Sequence, residues 1–164
     1  SAGGVELVVA DPNESRLELA RKLGAADTLL VERGGSGAER ARSLGPGPPG
    51  FDFSIDATGV SAGWHDALAA VRPGGRVSLF GGCAPGTAIQ LDPHRLHYDE
   101  LTVMGAYHHR PVDFRAALAL LADGGFDSEL LLSLERPLEE LPQALDDMIA
   151  RRAVKVVIRP QPGV

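Results

Sequence analysis

The chain has 164 residues, enough for one domain with its own core. Apolar residues make up 44% and charged residues 23%, with a net charge of −6, a balance that argues against a nucleic-acid or anionic-membrane partner. One cysteine, Cys83, excludes a disulfide framework or a cysteine zinc cluster within the chain, no apolar run is long enough to span a bilayer, no signal segment opens the chain, and a cytoplasmic location fits.

Val5–Ala10 reads as a near-continuous apolar strand buried on both faces, and it ends in an acid, Asp11. Pro12 and a helical pattern follow, with Leu17, Leu19, Ala20 and Leu23 on one side and Gly24 as the stop. Asp11 has two readings. Asp before Pro, with Glu14 three residues on, is a helix N-cap signature. A carboxylate at a strand's C-terminal end beside a helix start is also the geometry that holds a ribose.

Thr28–Val31 is a second strand, residues 32–37 a loop, and Ala38–Leu44 a short helix. Gly45-Pro-Gly-Pro-Pro-Gly50 excludes regular structure and reads as a surface connection. Phe51–Ala57 is a third strand and Ala62–Val71 a helix that Arg72-Pro-Gly-Gly75 closes. Arg76–Phe80 is a fourth strand, followed by Gly81-Gly82. A helical turn near Pro93–Tyr98, a strand at Leu101–Ala106 and a helix over Pro111–Ala122 ending at Gly124-Gly125 come next. Leu130–Leu134, Leu138–Ile149 and Val154–Ile158 read as strand, amphipathic helix and strand.

Strands and helices alternating at this spacing predict βαβ units, a doubly wound parallel sheet of Rossmann type, and a ligand cleft beyond the C-terminal strand ends. Those ends carry Asp11, Ala57-Thr58-Gly59, Gly81-Gly82 and Gly105-Ala106. Small residues there admit a flat ligand, and they also simply make βα turns. No G-x-G-x-x-G phosphate loop occurs. In a dinucleotide fold that loop follows the strand before the one ending in the ribose acid, about 20 residues upstream of it. Ser1-Ala2-Gly3-Gly4 leads directly into a strand, so the chain is expected to begin partway through a domain, with the first strand and phosphate loop absent.

The chain resembles the cofactor-domain half of the medium-chain, zinc-type alcohol and polyol dehydrogenases, the group of sorbitol and threonine dehydrogenases. The resemblance rests on Val-Val-Ala-Asp11 with Arg16-Leu-Glu-Leu-Ala-Arg-Lys-Leu-Gly24, Phe51-Asp-Phe-Ser-Ile-Asp-Ala-Thr-Gly59, and Leu68 through Gly81-Gly82. It continues in Glu100-Leu-Thr-Val-Met-Gly105-Ala, Phe114 to Gly124, and Pro137 through Lys155-Val-Val-Ile. It implies an incomplete NAD-binding domain over residues 1–129 and a return segment over 130–164. Asp11 would hold the adenosine ribose, favouring NAD over NADP, with Arg16 along that ribose or the adenine. Ala57, Thr58 and Gly59 would line the ribose wall. Phe80, Gly81, Gly82 and Ala106 would offer backbone groups to the nicotinamide carboxamide, and Lys155 would reach the pyrophosphate. Arg16 also reads as a solvated helix arginine and Lys155 as a strand-edge lysine. The family's catalytic zinc and proton relay lie in a part these residues do not include, so no catalytic residue and no metal ligand is assigned. The substrate would be a small polyol or secondary alcohol, the assembly a homo-oligomer, with no nucleic acid and no membrane.

A zinc-free, NADPH-dependent quinone-reductase-like enzyme, a methyltransferase and a non-catalytic nucleotide-binding module are the competing readings. Asp11 opposes the first by repelling a 2′-phosphate. His94 and His97, three apart, and the adjacent His108-His109 lack supporting ligands at metal-site spacing. Cys83 has no base at a telling spacing, and Trp64 is expected to pack.

In the order 3-2-1-4-5-6 the absent strand is the central one. Val5–Ala10 and Phe51–Ala57 then each lose a buried neighbour. The 164-residue chain by itself is therefore expected to be unstable or aggregation-prone. Refolding to a cooperative monomer would overturn this.

Overall fold

The computed structural model describes residues 4–32, 37–44, 50–124 and 127–160. They form two units that divide between His108 and His109. The expected Gly45–Gly50 connection lies outside the described residues apart from Gly50, as do Arg33–Ser36 of the expected loop and Gly125 of the expected helix stop.

The first unit runs β1 (Val8–Asp11), α1 (Glu14–Lys22), β2 (Asp27–Leu30), α2 (Ala38–Ser43), β3 (Phe51–Asp56), α3 (Ser61–Ala70), β4 (Val71–Leu79), α4 (Pro93–Tyr98) and β5 (Thr102–Gly105). Each of its ladders is parallel: β1 pairs with β2, and β4 lies between β3 and β5. This is the parallel α/β architecture expected from the alternation of strand and helix. No ladder joins β1 to β3 among the described residues, and the 3-2-1-4-5-6 order puts a further strand at that place. Asp56 is paired with Leu79 and Leu79 with Gly105, so β3, β4 and β5 end level.

Four readings are corrected in detail. β1 is not buried on both faces: Val8 and Val9 are half-buried, and Val5, before the strand, is 73% exposed. The reason is that β1 has a ladder on one side alone among the described residues. The N-cap of α1 is Asn13, whose side chain accepts from the Ser15 N–H at 3.0 Å; Asp11 stays in the strand, opposite Leu30. β4 begins at Val71, not Arg76, because fully buried Val71 pairs with Phe51. A register shift absorbs the Pro73-Gly74 kink, where Gly74 has φ +73°. The expected Leu138–Ile149 helix is also different: residues 138–140 form a 3₁₀ turn and the α-helix starts at Leu141.

The core of the first unit sits between α3 and the β3–β5 sheet. Ala67 and Leu68 pack on Val71, Val77 and Leu79, with Trp64, Ile89, Leu101 and Val103 at the border. The Ser54 hydroxyl donates to the Ala67 carbonyl at 2.7 Å, fixing helix to sheet. Arg95 on α4 closes the far end. Its guanidinium donates to the Leu68 and Val71 carbonyls, both at 2.7 Å, and pairs with Asp99 at 3.2 Å. A cation is well placed there, since the last carbonyls of a helix have no partner within it.

The second unit holds α5 (Pro111–Ala122), β6 (Leu132–Pro137), α6 (Leu141–Ile149) and β7 (Lys155–Arg159). β6 and β7 pair in parallel. α5 occupies the bounds its Pro111 start and Gly124 stop predict. At its start the Arg110 side chain and backbone N–H both donate to the Asp113 carboxylate, which is pulled down to about 2. α6 buries Ala144 and Asp147. Asp147, 6% exposed, accepts from Arg152 at 2.7 Å and from Arg136 at 2.6 Å, and Arg136 also reaches Glu140. No helix among the described residues is long and apolar enough to cross a membrane.

Two outcomes are expected, both in the protein at its full encoded length. Arg95→Leu strips the α3 end of its donors and should cost about 2 kcal/mol in denaturant unfolding; an unchanged midpoint would refute it. Arg152 first, then Arg136, hold the Asp147 carboxyl below its ordinary value of 3.8. A lowered carboxyl stabilises the fold above 3.8 and stops doing so as the pH falls below it. Asp147→Asn should therefore lower the melting temperature at neutral pH and flatten its fall on the acid side.

Candidate functional site

The C-terminal strand ends of the first unit carry the expected residues. At the end of β1, Asp11 accepts from the Asn13 N–H at 2.7 Å through Oδ1, an Asx turn that fixes the carboxylate. Its Oδ2 takes no hydrogen bond among the described residues. Asn13 then accepts from the Ser15 hydroxyl at 2.7 Å as well as from its N–H, so the start of α1 is satisfied without Asp11. Arg16 sits half-exposed in the first turns of α1.

At the ends of β3 and β4 two loops meet. Asp56 is 3% exposed, and its carboxylate is held by the loop that follows it. Oδ1 accepts from the Thr58 hydroxyl at 2.6 Å and the Thr58 N–H at 3.2 Å; Oδ2 accepts from the Gly59 N–H at 3.2 Å. The Asp56 carbonyl accepts from the N–H groups of Phe80 and Gly81, at 3.0 and 2.8 Å. The Trp64 indole, from the first turn of α3, donates to the Gly81 carbonyl at 2.8 Å.

This packing admits glycine alone at three places, Gly59, Gly63 and Gly81; a Cβ on Gly63 would meet the Thr58 hydroxyl and the Asp56 carboxylate. Gly59 has φ +71°, and a Cβ there would come within 2.7 Å of the Gly82 carbonyl. A Cβ on Gly81 would come within 2.6 Å of the Asp56 carboxylate and 2.8 Å of the Thr58 nitrogen. Gly82, the next residue, faces open space within 4 Å. Thr58, Gly59, Gly81 and Gly82 are thus brought together. Ala57 and Phe80 flank them, both exposed. Ala106 follows β5, with its N–H on the Leu79 carbonyl at 3.4 Å. Lys155 belongs to the second unit, exposed at the first residue of β7, opposite Leu132.

Asp56 and Trp64 are residues whose part in the site sequence reasoning missed. Asp56 was visible only as one letter of Asp-Ala-Thr-Gly, although an acid two residues before Thr at a strand end is an Asx-turn signal. Nothing in the sequence ties Trp64 to Gly81. Among the described residues no three His, Cys, Asp or Glu side chains form a metal-ligand group. His94 and His97 instead lie against Tyr98, tilted and edge-on respectively, with ring centroids 4.5 and 4.8 Å away. Cys83 is half-exposed.

The site geometry can be set beside known proteins. The family model for zinc-binding dehydrogenases matches residues 1–123. D-arabinitol dehydrogenase 1 of Uromyces fabae is 27% identical over 159 residues, which is 96% of this chain and 45% of the relative. A crystal structure of an alcohol dehydrogenase from Thermotoga maritima superposes with a TM-score of 0.84 at 26% identity, covering 97% of this chain and 44% of that one. A zinc-binding dehydrogenase of Sinorhizobium meliloti 1021, solved bound to NADP, gives a TM-score of 0.84 at 26% identity, over 97% of this chain and 46% of that one. The chain therefore spans less than half the length of each of these three proteins. With a family match over its first 123 residues and parallel ladders throughout its first unit, the chain belongs to the zinc-binding dehydrogenase family.

Proposed function

We propose that this chain is the cofactor-binding part of an NAD-dependent zinc-type dehydrogenase that oxidises a polyol or secondary alcohol. The observation that carries the reading is Asp11. Its Oδ1 is fixed by the Asn13 N–H, and its Oδ2 is left without a protein donor among the described residues. Two ribose hydroxyls are suitable donors to such a carboxylate, whereas a 2′-phosphate would be repelled by it.

Bound NAD supplies the hydride acceptor. The chain's own residues would place it. Asp11 and Arg16 take the adenosine ribose, and Ala57, Thr58 and Gly59 form the wall beside the riboses. Phe80, Gly81, Gly82 and Ala106 present main-chain groups to the carboxamide, and Lys155 answers the pyrophosphate. No catalytic step and no zinc ligand is assigned to these residues. We place residues 1–129 in the cofactor part and 130–164 in the return segment, in a cytoplasmic homo-oligomer.

An NADP-dependent enzyme is the second reading. The NADP-bound neighbour favours it, as does an arginine five residues past the acid, since an arginine near the ribose accommodates a 2′-phosphate. Titration of NADH and NADPH against the protein at its full encoded length decides. NADH is expected to bind far more tightly. Asp11→Ala should weaken NADH about tenfold or more, since bonds to a charged acceptor contribute about 1.5–3 kcal/mol, and should narrow the gap between the cofactors. A preference for NADPH would support the second reading. Binding of neither would leave Asp11 as a turn residue and remove the cofactor reading.

A further inference from the structure

Two side chains outside the expected site, Asp56 and Trp64, are bonded to the turns that would touch the cofactor. Asp56 is a buried carboxylate with no cation on it among the described residues. Its acceptors are spent on the hydroxyl and N–H of Thr58 and the N–H of Gly59, while its carbonyl takes the N–H groups of Phe80 and Gly81. One residue thus joins the loop after β3 to the loop after β4. The Trp64 indole completes the tie by donating to the Gly81 carbonyl at 2.8 Å.

That last bond has a directional effect. The Gly81 carbonyl and the Gly82 N–H belong to one planar trans peptide and point in opposite directions. Holding the carbonyl towards Trp64 turns the Gly82 N–H away from α3. Gly82 borders open space, and its N–H meets no acceptor among the described residues. An ordered donor left unspent on a strand-end edge suits a flat amide ligand. We infer that Asp56 and Trp64 are positioning residues, which lock the β3 and β4 loops so that the Gly82 N–H is aimed at the carboxamide of a nicotinamide ring.

The inference rests on the cofactor reading above and adds to it how the nicotinamide end is recognised. It is tested by measuring dissociation constants for NADH and for ADP-ribose, which lacks the nicotinamide ring, with the protein at its full encoded length. Trp64→Phe removes the indole donor and keeps the ring bulk. It is expected to weaken NADH about fivefold, the effect of one hydrogen bond, and to leave ADP-ribose within about twofold. Asp56→Asn replaces an acceptor by a donor facing the loop N–H groups and should give the same asymmetry with a larger loss. Melting curves accompany both variants, and Trp64→Phe carries the test if Asp56→Asn does not fold. Equal losses for both ligands would mean that the tie serves the fold alone and overturn the inference, as would no loss for either. Failure of the cofactor reading is distinct, because the unsubstituted protein would then bind neither ligand.

Discussion

Parallel strands cannot be joined by hairpins, and the rest of the structure follows from that constraint. Each strand of the first unit must be followed by a crossover before its neighbour begins. Within each sheet the C-terminal ends then fall on one edge, which is why residues far apart in sequence, Asp56, Gly81 and Ala106, lie along that of β3–β5, while Asp11 ends the separate β1–β2 ladder. α3 is the crossover that matters most. Its inner face buries Ala67 and Leu68 on Val71, Val77 and Leu79, while its first turn carries Trp64 to the β4 loop. One helix thereby supplies both the packing that holds the sheet and a donor that shapes the strand-end edge.

The parts legible in sequence were those set by local chemistry. α5 has the bounds its proline and glycine stop announce, α4 forms where the turn near Pro93–Tyr98 was expected, and Gly24, with φ +98°, ends α1 as expected. Where two local signals competed, tertiary pairing decided. Asp11 and Asn13 can both cap a helix, but the ladder to Leu30 keeps Asp11 extended, so the cap passes two residues on. Pro73-Gly74-Gly75 reads as a stop, yet pairing of buried Val71 with Phe51 draws the strand across it. The network on Asp147 has no sequence signal. Its partners are 11 residues before it and 5 after, brought together only when α6 lies near β6 and the turn before β7.

Hydrophobic periodicity names an apolar face without saying whether the described residues cover it. Ile55 on β3 is 60% exposed, and so is Phe114 on α5. Apolar patterning states which face a segment is built to bury, and the covering surface is a separate fact. The same distinction explains β1, whose apolar run reads as a central strand and whose ladder, among the described residues, is on one side. Stability inferred from such patterns is an upper bound, because the pattern counts burial that a given set of residues does not achieve.

Glycine at a strand end serves a ligand only if its freedom is removed. Gly59, Gly81 and Gly82 permit close approach, but unfilled glycine turns carry a large conformational entropy that binding would have to suppress. The structure removes it beforehand by unlike means. At Gly59 and Gly81 the backbones abut so closely that no side chain fits, which leaves little room for other conformations. At Gly82 there is open space, so packing cannot do it, and the orientation of that peptide falls to the bond between Trp64 and the Gly81 carbonyl. The buried carboxylate of Asp56 has the matching role on the other loop, where desolvation would be costly were its oxygens not occupied by Thr58 and Gly59. A turn that must stay open to a ligand cannot be rigidified from the ligand's side. Its restraints have to come from behind, through the helix and strand that carry it, and that is where Trp64 and Asp56 stand.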